Sequence, residues 1–351
     1  MKSLAGTLAA PFPYFGGKSL ACATVWAAFG DVQNYVEPFA GSAAMLLGAP
    51  SGKRVETIND ADGFVANFWR AVAADADAVA GHVDWPCNEA DLFARHSWLV
   101  RQSSGLIERL HANPKFYDAE IAGWWCWGAC NWIGSGWCSG TGPWIHDGRA
   151  VVDARQLPHL SAGQGVNRKL PHLSAGQGVN RKLPHLSAGQ GVNRQLPHLG
   201  NSGRGAYIRE WFALLGARLR DVRVACGDWR RVLTDSVTVR HGITGVFLDP
   251  PYTKGAMDYS AGGVGGALAD DVRLWCNQNG HRKNLRIVIC GHAGEHDALL
   301  NRGWTARVWT ARKGYAVTDE AVENSASETI WCSPHCDAEA GVNLDLFAVT
   351  Q

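Results

Sequence analysis

Two adjacent prolines constrain this chain more than any other feature. The small and apolar run Gly245-Val246-Phe247-Leu248 leads into Asp249-Pro250-Pro251-Tyr252. A short apolar run bounded by proline predicts a buried strand. Neither proline can donate to a sheet, so the strand must end there. One acid, a stiff turn with free carbonyls and one aromatic are then left at a strand's carboxyl end. In an open α/β sheet, ligands bind at that end.

Two earlier stretches repeat the design. Asn34-Tyr35-Val36-Glu37 reads as a brief strand, followed by the small-residue turn Pro38-Phe39-Ala40-Gly41-Ser42 and a helix. Gly41 and Ser42 keep the backbone bare, as in the first unit of a nucleotide-type site. The glycines do not form G-x-G-x-x-G, so a dinucleotide is not favoured. Arg54 to Asp60 is a second strand, before a helix from about Gly63 to Ala80. An acid at that distance from a glycine turn can hold ribose hydroxyls; alternatively, Asp60 or Asp62 caps the helix. Upstream, Tyr14-Phe15-Gly16-Gly17-Lys18 precedes a helical stretch from Ser19 to Phe29 and permits close backbone approach, or is simply a turn. Downstream, a helix from Gly205 to about Asp221, a strand at Val222–Cys226 ending in Gly227-Asp228-Trp229, a helix near Ala267–Asn279 and a strand at Leu285–Cys290 restore the alternation. Trp304–Trp309 and Glu328–Cys332 look like a closing strand pair. The order predicts an α/β fold with a mainly parallel sheet wrapped by helices.

From Trp85 to about Gly203 the pattern breaks. Trp124, Trp125, Trp127, Trp132, Trp137 and Trp144 crowd together, as a small core or as a stacking surface for bases. After Trp132 neither regular sheet nor helix is expected. The 13-residue unit LPHLSAGQGVNRK occupies Leu157–Lys169 and recurs at Leu170–Lys182 and, with Gln in place of the final Lys, at Leu183–Gln195, with a partial copy from Leu196. It is too short for a helical-pair solenoid. Arg168, Lys169, Arg181, Lys182 and Arg194 recur in register. Residues 151–210 hold eight Lys and Arg against two Asp and Glu, on a chain whose net charge is only +1. A localised contact with a polyanion would look like this; an expanded surface loop is the alternative.

With 19% charged and 46% apolar residues, composition points to a globular chain, and no run of 18 apolar residues predicts a membrane span. The N-terminus reads as structural and not as a signal peptide. The ten cysteines form no pair of C-x-x-C motifs. Cys126, Cys130 and Cys138 with His146, or Cys332, His335 and Cys336, fit no usual zinc spacing. Reduced cysteines in a cytoplasmic protein, with no metal, are expected.

The chemistry that Asp249-Pro250-Pro251-Tyr252 suits is work on a planar amine. Asp249 can accept one N–H and the Pro250 carbonyl the other, while Tyr252 stacks on the ring; a paired base must first leave the duplex. A surface turn capped by Asp249 is the alternative. Together, F-G-G-K, V-E-P-F-A-G-S-A, N-D-A-D and D-P-P-Y, in this order, resemble the Dam-like (D12 class) adenine-specific DNA methyltransferases over about residues 1–80 and 204–335. The resemblance implies a Rossmann-like, mostly parallel sheet with a terminal antiparallel strand. It implies a catalytic domain over 1–84 and 204–351, with an inserted target-recognition region over 85–203 that holds the repeats of 157–199. It implies S-adenosylmethionine as methyl donor, double-stranded DNA as partner, and a bacterial or phage restriction-modification setting. Asp249, Pro250 and Tyr252 would then hold the target base. Tyr14, Phe15, Gly17 and Lys18 would line the donor, with Glu37, Phe39 and Gly41 at its methionine end, Asp60 on its ribose, and Asp228 and Trp229 at its adenine. A monomer or weak dimer is expected. Cytosine-N4 or RNA adenine methylation, or a catalytically silent DNA-binding protein of this fold, are the alternatives.

Overall fold

The computed structural model describes residues 8–14, 18–132, 136–138, 144–146, 151–153, 204–251, 265–308 and 328–337. A 3-10 turn at Lys18–Leu20 leads to α1 (Cys22–Phe29), β1 (Asn34–Glu37), α2 (Ala44–Leu47), β2 (Val55–Asp60) and α3 (Gly63–Val83). Then come α4 (Glu89–Ser103), α5 (Leu106–Ala112), α6 (Ala119–Asn131), and the short strands β3 (Trp144–His146) and β4 (Val151–Asp153). The chain continues through α7 (Arg204–Leu219), β5 (Val222–Cys226), β6 (Thr244–Leu248), α8 (Gly265–Asn279), β7 (Leu285–His292), β8 (Thr305–Val308) and β9 (Glu328–Cys332).

Seven strands form one sheet in the order β5-β2-β1-β6-β7-β9-β8. The first five lie parallel; β9 runs antiparallel to both β7 and β8. This is a Rossmann-like methyltransferase fold. From β1 the chain moves outward to β2 and β5, then crosses back to build β6 and β7 on the other side. The topological switch therefore lies between β1 and β6, where an open sheet leaves a crevice. Every residue of β1 and β6 is buried, as expected for central strands covered by helices on both faces.

Cap chemistry separates the two aspartates at the β2–α3 turn. Asp62 is the N-cap of α3 and accepts from Phe64 N–H at 2.8 Å. Asp60 instead accepts from Gly41 N–H at 2.9 Å and from Asp62 N–H at 2.9 Å. Gly41 has φ +44°, its carbonyl accepts from the Trp69 indole at 2.8 Å, and a Cβ there would stand 2.3 Å from the Tyr14 ring. Conformation and space both demand glycine.

The Trp-rich stretch is helical up to Asn131. The N-cap of α6, Asp118, accepts from Ile121 N–H and exchanges two hydrogen bonds with Asn67 of α3, at 2.8 and 2.9 Å. This fixes α6 against α3, and Phe12, Phe68 and Trp125 pack together in the layer between them. Trp125 and Trp127 are buried, so these rings fill core space. The β3–β4 hairpin also falls where irregular chain was expected. The repeats and their basic residues lie outside the described residues. All ten cysteines are free thiols, and no metal-binding set of His, Cys, Asp and Glu is found among the described residues. No described helix is long and apolar enough to cross a membrane.

Candidate active site

The parallel strands deliver their last residues to one edge: Glu37 from β1, Asp60 from β2, Asp228 just past β5, Asp249 just past β6 and His292 from β7. Because β9 is antiparallel, its first residue reaches the same edge. Glu328 pairs with His292 in register.

At the centre is Lys18. Its Nζ stands 3.4 Å from Asp249 Oδ1 and 3.1 Å from Glu328 Oε2. The Lys18 side chain is 5% exposed and that of Asp249 20%. Burial works to pull the ammonium's pKa down, but the charges of Asp249 and Glu328 oppose it, and the net shift is upward. Lys18 is thus a cation at any ordinary pH. Burial raises the pKa of Glu328, against the pull of Lys18. The structure thus brings Lys18 to Asp249.

Glu37 is buried behind this group. One carboxylate oxygen accepts from the Tyr35 hydroxyl at 3.0 Å and from Leu46 N–H at 3.2 Å. Burial pushes its pKa up to about 8 despite those bonds, and the charge of Asp249 adds to the rise. Asp60 rises to about 7, through burial and then the charge of Asp62. The free site is therefore rich in carboxylates whose ionisation is costly.

Asn59 ties the outer wall together. Its side-chain amide donates to Pro38 O at 3.0 Å and to Gly227 O at 2.9 Å, joining the exits of β1 and β5 across β2. Beyond it Asp228 is exposed, accepts from Arg230 N–H at 2.8 Å and pairs with the Arg230 guanidinium. Trp229 is buried, lies 6.0 Å from the Phe39 ring at a 31° tilt, and has no partner for its indole N–H among the described residues.

The edge thus gathers Lys18, Glu37, Phe39, Gly41, Asp60, Asp228, Trp229, Asp249 and Pro250, with Tyr14 packed at the Gly41 turn. Phe15, Gly17 and Tyr252 lie outside the described residues, as do Arg168, Lys169, Arg181, Lys182 and Arg194. Two contributors escaped the sequence reading. Glu328 sits in a late strand whose reversed direction carries its first residue to the site. Asn59 is a polar residue inside a strand, a position where Asn is depleted, and that was its signal.

A seven-stranded, mostly parallel sheet with acids gathered at the carboxyl edge of its switch point is consistent with a Rossmann-like methyltransferase fold. Residues 14–96, from Tyr14 through β1, β2 and α3 into α4, match the D12 class N6 adenine-specific DNA methyltransferase family, and this match supports a DNA adenine N6-methyltransferase. No curated protein matches the chain.

Proposed function

We propose that the protein transfers a methyl group from S-adenosylmethionine to N6 of an adenine extruded from double-stranded DNA. The observation that carries this reading is the position of Asp249: just past β6, at the switch point, part-buried and 3.4 Å from a buried lysine. The donor set fits the methyl donor. Glu37 and Asp60 are carboxylates held where burial disfavours ionisation. A ligand carrying a sulfonium and an ammonium offsets that cost, whereas a pyrophosphate would add to it.

When bound, S-adenosylmethionine supplies a methyl group already activated on a sulfonium. The residues then have binding and alignment to do. Glu37, Phe39 and the Gly41 turn would shape the methionine end, with Tyr14, Phe15 and Gly17 beside it. Asp60 would accept from ribose hydroxyls with carboxylate lone pairs beyond those taken by the backbone N–H groups of Gly41, Ala61 and Asp62. Asp228 would accept from the donor's adenine, against the Phe39–Trp229 pair. Asp249 and the Pro250 carbonyl would each accept one N–H of the target amine and so hold and orient its nitrogen for transfer. Tyr252 would stack on the flipped base. The arginines and lysines of the repeats would meet phosphates, which sets register on DNA without reading sequence.

Incubation with deuterated donor and either duplex DNA or RNA, followed by nucleoside mass spectrometry, tests this. Labelled N6-methyladenine is the expected product. Label found only in N4-methylcytosine, only in RNA, or in no nucleoside would overturn it.

A further inference from the structure

We infer that Glu328 is a positioning residue: it takes up the charge of Lys18 so that Asp249 keeps its acceptor strength for the target amine. The inference rests on the reading of Asp249 given above, and deepens it.

One ammonium lies between two carboxylates. Its contact with Glu328 is the shorter, 3.1 Å with hydrogen-bond geometry, against 3.4 Å to Asp249. A carboxylate in a full ion pair is polarised toward the cation and accepts other hydrogen bonds less strongly. Sharing the cation with a second carboxylate lessens that pull on Asp249. Backbone pairing makes the arrangement rigid: Glu328 opens β9, locked in register to His292 at the end of β7. Among the described residues, the ionisable groups facing this cluster are Glu37 on β1, Cys290 and His292 on β7, and Asp249 after β6. Glu328 is hydrogen-bonded to Lys18.

Glu328→Gln keeps the shape and an acceptor for Lys18 but removes the charge. The charge of Lys18 is then drawn more strongly to Asp249. Turnover should fall about tenfold, with donor affinity within about twofold of wild type. Losing a neighbouring like charge should also keep Asp249 ionised to lower pH. The acid limb of the kcat profile should move down by about one unit. A carbon-13 titration of the Asp249 carboxyl, assigned by its loss in Asp249→Asn, should report the same displacement without requiring turnover. Glu328→Asp keeps the charge, should shift that midpoint less than Gln does, and guards against a Gln variant that fails to fold. An unmoved Asp249 midpoint, or equal effects of Gln and Asp, overturns the inference. Wild-type protein that methylates no adenine while the midpoint still moves in Glu328→Gln overturns the proposed reaction and leaves the Lys18–Glu328 arrangement standing.

Discussion

The molecule buries one cation at the carboxyl edge and another in the α4–α6 layer, and solves the problem differently in each. At the carboxyl edge Lys18 is flanked by opposite charge, from Asp249 and Glu328. In the α4–α6 layer Arg95 is 7% exposed, and its guanidinium faces three indole rings: Trp127 at 4.3 Å, Trp124 at 4.8 Å and Trp85 at 5.1 Å. Its Nη1 has no hydrogen-bond partner among the described residues, and burial lowers its pKa against the charges of Asp91 and Glu120. Aromatic faces stabilise a cation without titrating, so the cage is fixed chemistry that holds a layer together. Carboxylates respond to protons, to each other and to incoming charge. The edge can therefore answer a ligand, and the cage cannot.

Breaking the two sites should separate function from stability. Asp249→Ala removes the proposed amine acceptor, and transfer should drop by about 10²–10⁴-fold. Donor affinity by calorimetry should stay near wild type, because the contacts proposed for the donor lie on Glu37, Asp60 and Asp228. Turnover near wild type in that variant would remove Asp249 from the chemistry. Arg95→Ala should do the reverse. It empties a cage of three rings and should cost about 2–4 kcal/mol in denaturant unfolding. Transfer per folded molecule at saturating DNA should change little. A stable Arg95→Ala protein would mean that the three indoles collapse onto one another without the cation.

The edge should also show two opposite pH slopes. Glu37, at about 8, and Asp60, at about 7, both titrate above their ordinary range of about 4. A carboxyl whose folded pKa is raised favours the folded state fully below the unfolded value, and that contribution is lost as pH rises through the folded one. The free protein should therefore lose melting temperature between about pH 4 and 8. Glu37→Gln, which cannot ionise, should flatten the slope over the upper part of that window. Donor affinity should run the other way: a cationic ligand prefers the ionised carboxylates and should bind more tightly as pH climbs through about 7 to 8. Calorimetry across that range would detect proton release on binding. Parallel slopes for stability and affinity would mean that the donor does not sense these carboxylates.

Much of the sheet was legible because its physics is local. A short apolar run, an acid, a small-residue turn and a helix announce themselves at β1 and β2, and Val222–Cys226 and Glu328–Cys332 stand where the pattern places strands. The α4–α6 layer was not legible for an equally physical reason. In α6 most residues are buried, so apolar and aromatic side chains occur all round the helix and no 3.6-residue stripe stands out. The site was legible where each acid ends its own parallel strand. It was not legible at Glu328, whose place depends on β9 running backwards beside β7. That is a property of the assembled sheet and not of any window of residues.

The smallest expected effect separates the neighbouring aspartates of the β2–α3 turn. Asp62 caps α3 through Phe64 N–H. Replacing it with Ala leaves one helix-end N–H without its cap, a loss of about 1 kcal/mol. Asp60 and the Gly41 N–H it accepts should remain in place, so donor affinity should hold within about twofold, since additivity is expected where no shared bond is broken. One contact qualifies this: Asp62 N–H donates to Asp60 Oδ1, but it is a backbone group and survives the substitution. Removal of the Asp62 charge should also let Asp60 ionise more easily, since that charge helps raise its pKa. Donor binding at about pH 6 should then tighten slightly in Asp62→Ala and not weaken. Weaker binding there would shift the ribose-holding role from Asp60 toward Asp62.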